Sequence, residues 1–499
     1  MGLSTILRSI VIAILLFSEF GLINCDEDLE FPEGFVLGAA TAAYQIEGAW
    51  NVSDKSENQW DHFTHSGKGV IVGNATGDVA CDSYHKYEED VAMLKKLGFQ
   101  SYRFSISWSR ILPSGFPNKI SKVGVDHYNK LIDALLANNI EPLVTIYQWD
   151  HPQVLEEYGG WTNELMVDWF SEYARVIFRE FGQKVKLFAT LNEPDSVCLI
   201  GYSLGINAPG KKLDGIGTYL CMHNMLKAHA RAYHIYKKEF EPSQKGKVGI
   251  VINTMSFYPK DHDNVGADEI AYQFKNGWQL DPIFSERGDY PELMKEMVAN
   301  KSKAGGFPSS RLPEFSREWV DYIRGASDFL GINYYTANLV EYGTIGPDPS
   351  YTRDQGVIRT FDPSWKRAAS IWLFQVPQSF GDILRRFARD YKNMTFFITE
   401  NGMSDKGEMN DNDRIQFYHD YIKSMLTAMK EYGVNVKRYY TWSLMDNFEW
   451  SSGYSERFGI VHVNFTDPNR TRTWKKSAYW WQQVIRQRKL LPDVNVTVA

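Results

Sequence analysis

The chain has 499 residues, 43% of them hydrophobic, and a formal charge of −7 at neutral pH. A chain of this length can bury a large core; length alone is compatible with two or three domains or with one α/β barrel carrying loop insertions. No block of five or more Lys/Arg occurs, which argues against nucleic acid and anionic membrane surfaces as partners. The 15 Trp and 28 Tyr suit an aromatic core and, equally, stacking platforms for sugars.

Arg8 precedes a short apolar run, Ile10-Val11-Ile12-Ala13-Ile14-Leu15-Leu16-Phe17. This is the pattern of a secretory signal, with residues 1–25 expected to leave by cleavage near Cys25 and residues 26–499 to form the mature domain. The run is too short to span a bilayer, and no other stretch reaches 18 apolar residues, so a secreted or lumenal location without a membrane span is expected. Seven Asn-X-Ser/Thr sequons, at Asn51, Asn74, Asn300, Asn393, Asn464, Asn469 and Asn495, are glycosylation candidates in that setting. With Cys25 removed, Cys81, Cys198 and Cys221 remain. At most one pair can form within the chain. Sequence does not fix the pairing, and Cys198–Cys221 is the pairing expected here.

From Phe35 onward short apolar runs alternate with helical patterns. The first run, residues 35–40, leads to Tyr44-Gln45-Ile46-Glu47-Gly48. A helix over residues 88–97 places Val91, Met93, Leu94 and Leu97 on one face and stops at Gly98, before a strand over 101–106. Val125, Tyr128, Ile132 and Leu135 mark the next helix, followed by a strand over 143–147. Phe170, Tyr173, Ala174, Ile177, Phe178 and Phe181 mark another, ended by Gly182. A strand follows through Leu187-Phe188-Ala189-Thr190-Leu191 to Asn192-Glu193-Pro194. The remaining strand candidates cover 248–252, 328–335, 396–399 and 436–444, making eight. Eight alternating strand–helix units predict parallel strands closed into a single (β/α)₈ barrel, an α/β fold with loop insertions at 205–217 and 345–370. An open doubly wound sheet is the competing architecture, but no Gly-rich phosphate loop follows the first strand.

Functional residues of such a barrel gather at the carboxyl ends of its strands. The polar and aromatic residues there are Gln45, Arg103, Gln148, Asn192, Glu193, Asn333, Tyr335, Glu400, Trp442 and, just beyond, Glu449 and Trp450. They contain no metal-ligand spacing; Cys81-x-x-x-His85 is a two-ligand fragment and no metal or cofactor is expected. Gly201-Tyr202-Ser203-Leu204-Gly205 matches a nucleophile elbow by letters, but Asn207-Ala208-Pro209-Gly210 breaks the helix an elbow requires, so it reads as a chance match in a loop. Two carboxyls with amides and indoles around them suit glycoside hydrolysis, one protonated to donate to the departing oxygen and the other ionised. Glu193 has no nearby cation in sequence, which favours its protonated form. Arg103, if close to Glu400, would keep that carboxylate ionised.

These residues carry a resemblance. Thr190-Leu191-Asn192-Glu193-Pro194, Ile398-Thr399-Glu400-Asn401-Gly402, Tyr44-Gln45-Ile46-Glu47-Gly48 and the segment from Trp442 through Glu449-Trp450 to Arg457-Phe458-Gly459 resemble, in order and spacing, the motifs of glycoside hydrolase family 1, the retaining β-glucosidases. The resemblance covers roughly residues 31–485. It implies Glu193 as acid/base, Glu400 as nucleophile, and Arg103 and Tyr335 as partners of the nucleophile. It implies Gln45, Gln148, Trp149, Asn192, Trp442, Glu449 and Trp450 as binders of a small-molecule β-glycoside. It also implies double displacement, with the two carboxyls roughly 5–5.5 Å apart. A glycosyl-transferring enzyme and a glycoside-binding protein with lost catalysis on the same fold stay open as alternatives. So do the aglycone, O- against S-glycosides and the oligomeric state. One position departs from the pattern: the family usually reads His-Trp-Asp-Leu-Pro where this chain reads Gln148-Trp149-Asp150-His151-Pro152. An amide replaces an imidazole there; it still donates and accepts hydrogen bonds, with a different reach.

Overall fold

The computed structural model describes residues 29–67 and 71–491. The expected signal segment, Cys25 and Asn495 lie outside these residues. The described chain winds into strands β1 (Val36–Ala40), β2 (Ser101–Ser105), β3 (Glu141–Tyr147), β4 (Leu187–Asn192), β5 (Lys247–Pro259), β6 (Leu330–Tyr342), β7 (Val357–Thr360), β8 (Phe396–Asn401) and β9 (Val436–Trp442), with a hairpin of β10 (Val461–Val463) and β11 (Arg472–Trp474) beyond them. Hydrogen bonding runs in the order β5-β4-β3-β2-β1-β9-β8-β6, and β6 returns to β5. Every pairing in that ring is parallel, which closes an eight-stranded barrel.

Three of the outer helices are those the apolar spacing predicts. Helix α1 (Ser83–Leu97) buries Val91, Met93, Leu94 and Leu97 and ends at Gly98, whose left-handed backbone lets its N–H reach the Leu94 carbonyl. Helix α2 (Lys122–Ala137) starts where the Ser121 side chain accepts from the Gly124 N–H, and it buries Val125, Tyr128, Ile132 and Leu135. Helices α3 (Met166–Phe181) and α4 (Gly217–Ile235) pack together, and the Cys198–Cys221 disulfide ties α4 to the segment after β4. The β5–β6 crossover is broken into short helices, the longest being α5 (Glu292–Ala304). Helices α6 (Pro377–Asp390), α7 (Asn412–Tyr432) and α8 (Lys476–Gln487) complete the outer layer. Strands β2, β4 and β8 are buried at every residue, as expected where one strand face meets helices and the other fills the barrel. Each fully buried Leu, Ile or Phe in these layers contributes roughly 1.5–3 kcal/mol relative to exposure.

The structure corrects several boundaries. Strand β9 ends at Trp442 rather than 444, because the Ser443 and Leu444 N–H groups bond to Phe458 and Ala40 carbonyls. Strands β5 and β6 run well past the expected ends and stay paired to Pro259 and Val340. The insertion at 345–370 is not all loop: it contains a helical turn, Tyr351–Gln355, and strand β7, which adds antiparallel to the β6 extension. Ser203 lies in a π-helical segment, Val197–Ser203, instead of a loop.

Register shifts mark the carboxyl ends of the barrel strands: between Ala189 and Asn192 on β4, Ile332 and Asn333 on β6, and Ile398 and Asn401 on β8. A bulge turns the next side chain away from the plain in–out alternation. Here the turned residues include Asn192, Asn333 and Glu400.

Candidate active site

Two carboxyls organise the mouth of the barrel. Glu400 is the next-to-last residue of β8, between Thr399 and Asn401, and is 4% exposed. Its Oε1 accepts from Arg103 Nη1 at 2.6 Å and its Oε2 from Tyr335 Oη at 2.7 Å. Arg103 comes from β2 and is fully buried; its Nε donates to Thr145 Oγ1 at 3.0 Å and its Nη2 to Asn192 Oδ1 at 2.6 Å. This guanidinium therefore joins β2, β3, β4 and β8 around one carboxylate. Tyr335 stays a phenol, because burial and the charges of Glu400 and Glu193 raise its pKa well above the usual value. Close approach also explains the residue after Glu400-Asn401: a Cβ on Gly402 would lie 1.8 Å from the Trp442 carbonyl oxygen.

Glu193 follows β4 with a left-handed backbone, φ 49°. Its Oε1 accepts from Asn333 Nδ2 at 2.7 Å and its Oε2 from Ser196 Oγ at 2.9 Å. Burial and the charge of Glu400 push its pKa up to about 8. A cation distant in sequence does stand nearby. Lys275 comes from the segment Gln273–Gly277, but it is ion-paired to Asp195, so its pull on Glu193 is a minor one. The two carboxyls thus meet different partners, one a cation and a phenol, the other an amide and a hydroxyl.

The remaining sequence candidates line the same space. Gln45 Nε2 donates to Asn447 Oδ1 at 2.9 Å and to Glu449 Oε2 at 3.3 Å, while its Oε1 is buried with no protein partner. Burial and the charges of Glu456 and Glu400 raise the pKa of Glu449 well above the ordinary range. Trp149 donates its indole N–H to the Asn192 carbonyl at 3.0 Å and packs against Trp450, with ring centroids 4.5 Å apart. Trp149, Glu193 and Trp450 all have positive φ, a strained conformation for non-glycine residues that collects at functional sites. Trp442 is buried beside Gly402. Gln148 is 2% exposed, with Oε1 at 3.5 Å from Arg103 Nη2. Its amide oxygen faces the guanidinium.

Sequence reasoning assigned no role to Asn333, Ser196, Asn253 or Trp372. Asn333 bridges Asn192 and Glu193, and its Oδ1 accepts from Thr399 Oγ1 at 2.7 Å, which sets the orientation of its amide. Ser196 lies three residues after Glu193 on one helical turn, a spacing that could have singled it out. Trp372 packs edge-on to Tyr335, 5.6 Å between centroids, and is 42% exposed; it stands in a segment with no periodic pattern. The rejected Ser203 does not join the site. Its neighbour Tyr202 donates to Glu156 in a separate buried cluster with His151. Cys81 is a buried free thiol, and among the described residues no group of three or more His, Cys, Asp or Glu could hold a metal ion.

Residues 27–490 match the sequence profile described as Glycosyl hydrolase family 1. This chain belongs to glycosyl hydrolase family 1. Myrosinase 1 of Brevicoryne brassicae is 43% identical over 466 residues, covering 93% of this chain and all of that protein. The cytosolic beta-glucosidase of Homo sapiens is 41% identical, covering 93% of this chain and 99% of that protein. Among solved structures, an aphid myrosinase superposes with a TM-score of 0.89 at 43% identity, over 93% of this chain and all of that one. A mutant rice β-glucosidase in a covalent complex with glucose gives 0.85 at 38% identity, over 91% and 98%. The family 1 chain is therefore a β-glycosidase-type hydrolase on a (β/α)₈ barrel.

Proposed function

We propose that this protein is a retaining β-glucosidase in which Glu400 is the nucleophile and Glu193 the acid/base. The observation that carries the reading is the unequal environment of the two carboxyls. Arg103 and Tyr335 both donate to Glu400, which suits an ionised oxygen. Burial and the charge of Glu400 favour the protonated form of Glu193. Paired carboxyls with opposed protonation are what retaining hydrolysis needs.

In the first step Glu400 attacks the anomeric carbon, the bond to the leaving-group oxygen breaks, and the Glu193 proton passes to that oxygen. The glycosyl-enzyme ester removes the charge of Glu400, so the Glu193 carboxylate left by that transfer stays ionised. In the second step Glu193 takes a proton from water, the water oxygen attacks the anomeric carbon, and Glu400 leaves as a carboxylate. Gln45, Gln148, Asn192, Glu449 and Trp450 surround the glycone, with Trp442 beneath its ring and Trp149 holding the wall. Trp372, exposed at the rim beside Tyr335, offers an apolar face to the leaving group.

Secretion and glycosylation belong to the same reading. It is supported by the signal-like run at residues 10–17, by the Cys198–Cys221 disulfide, and by the exposure of Asn51, Asn74, Asn300, Asn393, Asn464 and Asn469. Among the described residues no helix is long and apolar enough to cross a membrane.

The test is a panel of aryl β-glycosides differing in sugar, run on wild type and Glu400→Gln with the product anomer read by NMR. A retained β-anomer from wild type, the highest kcat/KM on glucosides and loss of turnover in the variant are expected. Unchanged activity in Glu400→Gln would sink the assignment.

A further inference from the structure

Glu193 is gripped through both oxygens, and the two grips come from one pair of neighbouring strands. Asn253 on β5 and Asn333 on β6 are direct partners in the parallel ladder. Asn333 reaches Glu193 Oε1 itself, at 2.7 Å. Asn253 reaches the other oxygen through an intermediary: its Nδ2 donates to Ser196 Oγ at 3.0 Å, and Ser196 Oγ donates to Glu193 Oε2 at 2.9 Å. Ser196 is 5% exposed and sits on the helical turn Pro194–Ser196 that Glu193 itself opens.

Donor and acceptor chemistry fixes the direction of this chain. An amide NH₂ only donates, so Asn253 occupies a lone pair of the Ser196 oxygen and turns the hydroxyl proton toward Glu193. The amide of Asn333 is likewise fixed, because Thr399 Oγ1 donates to its Oδ1. Oε1 of Glu193 therefore always meets a pure donor. Oε2 meets a hydroxyl, which can accept as well as donate once the carboxyl is protonated. The proton of the acid form is thus favoured on Oε2.

We propose that Ser196 is a positioning residue for the acid/base: with Asn253 behind it, it holds Oε2 of Glu193 as the oxygen that gives the proton to the leaving group and takes one from water. This rests on the acid/base role of Glu193 given above and adds which oxygen works and what holds it. The transfer balances in both directions. In glycosylation the Oε2 proton moves to the leaving-group oxygen as the glycosidic bond breaks, and the Ser196 hydroxyl then donates to the charged oxygen left behind. In deglycosylation a water proton moves to Oε2 as the water oxygen bonds to the anomeric carbon and the ester to Glu400 breaks.

The other charged or titratable groups that face Glu193 are Glu400 on β8, Asp195 on its own turn with Lys275 against it, Tyr335 on β6 and Glu449 beyond β9. None of these is altered by changing Ser196. Removing a donor to a carboxylate disfavours its ionised form, so loss of the hydroxyl moves the Glu193 titration upward.

The experiment measures pH profiles of the full-length secreted enzyme for wild type, Ser196→Ala, Ser196→Thr and Asn253→Ala, with Glu193→Gln as reference. With 4-nitrophenyl β-glucoside the basic limb of kcat/KM reports Glu193 as acid. With 2,4-dinitrophenyl β-glucoside, whose leaving group needs no proton, the acid limb of kcat reports Glu193 as base. Ser196→Ala is expected to move both limbs upward by about one pH unit, Ser196→Thr to restore them, and Asn253→Ala to move them the same way by less. Limbs that coincide with wild type in Ser196→Ala or Asn253→Ala, or a uniform fall in kcat at every pH, would overturn the proposal. Should Ser196→Ala fold poorly, the shift in Asn253→Ala decides it. If Glu193→Gln keeps both limbs, the acid/base assignment itself fails, and that outcome is separate from a failure of the relay.

Discussion

Arg103 Nη1 donates to Glu400 Oε1 at 2.6 Å, and the guanidinium is fully buried. The guanidinium stands where water would otherwise solvate the buried carboxyl. The same guanidinium reaches Asn192 through Nη2, so it fixes both the proposed nucleophile and the neighbouring amide.

Replacing Arg103 separates charge from geometry. Arg103→Lys keeps a cation but not the fork that spans Glu400 and Asn192. We expect kcat to fall by about 10²–10³-fold, on the scale of losing one preorganised electrostatic contact. Arg103→Ala leaves a buried carboxylate unpaired and is expected to destabilise the fold by about 3–5 kcal/mol, read as a lower chemical-unfolding midpoint.

Glu193 links activity and stability to pH. Its folded-state pKa of about 8 lies above the ordinary value of 4.5. Its competence as an acid is full below about 8 and lost above it, so kcat/KM for poor leaving groups is expected to fall with that limb. The folded state binds this proton more tightly than the unfolded state, so the group favours folding less as pH rises from 4.5 to about 8. Glu193→Gln removes the titration. Its melting temperature relative to wild type is expected to rise between pH 5 and pH 8, by about 1–3 °C, although its turnover of poor leaving groups is lost. A constant difference across that range would contradict the titration.

In the proposed reading Gln148 is one of the groups that meet the glycone. Its Oε1 faces Arg103, which leaves the NH₂ as a donor whose strength does not change with pH. Gln148→Ala is expected to lower kcat/KM for β-glucosides by about tenfold, the loss of one hydrogen bond. Gln148→His is expected to change the ratio of kcat/KM between β-glucoside and β-galactoside, because an imidazole donates from a different distance. Equal values for both variants and wild type on every sugar would show that the position takes no part in recognition.

The Cys198–Cys221 disulfide spans 23 residues and ties α4 to the segment carrying Ser196. Replacing both cysteines with alanine is expected to cost about 2–4 kcal/mol, seen as a lower urea midpoint with the pH limbs unchanged. A moved basic limb would instead couple the disulfide to Glu193.

Strand periodicity and strand-end chemistry made the barrel legible, because residues such as Phe396-Phe397-Ile398 have one use in a parallel sheet and Glu400 at their end has no solubilising role. The paired carboxyls, Arg103 and Tyr335 were legible for the same reason. Trp442, Glu449 and Trp450 were placed through their motif. What sequence did not reveal depends on register. Asn253 and Asn333 become partners only once β5 and β6 lie side by side, and Lys275 approaches Glu193 from a segment distant in sequence and already paired to Asp195. Strand β7 was missed because its stability comes from the β6 extension, whose length no local pattern announced.

In the proposed mechanism Glu400 forms a covalent bond to the sugar. Treatment with 2,4-dinitrophenyl 2-deoxy-2-fluoro-β-glucoside slows hydrolysis of the ester, and peptide mass spectrometry locates the label. Stoichiometric inactivation is expected, with the 2-fluoroglucosyl adduct on Glu400 in the peptide containing Ile398-Thr399-Glu400-Asn401-Gly402. An adduct on Glu193 or Glu449, or an active enzyme that never labels and releases the inverted anomer, would contradict it.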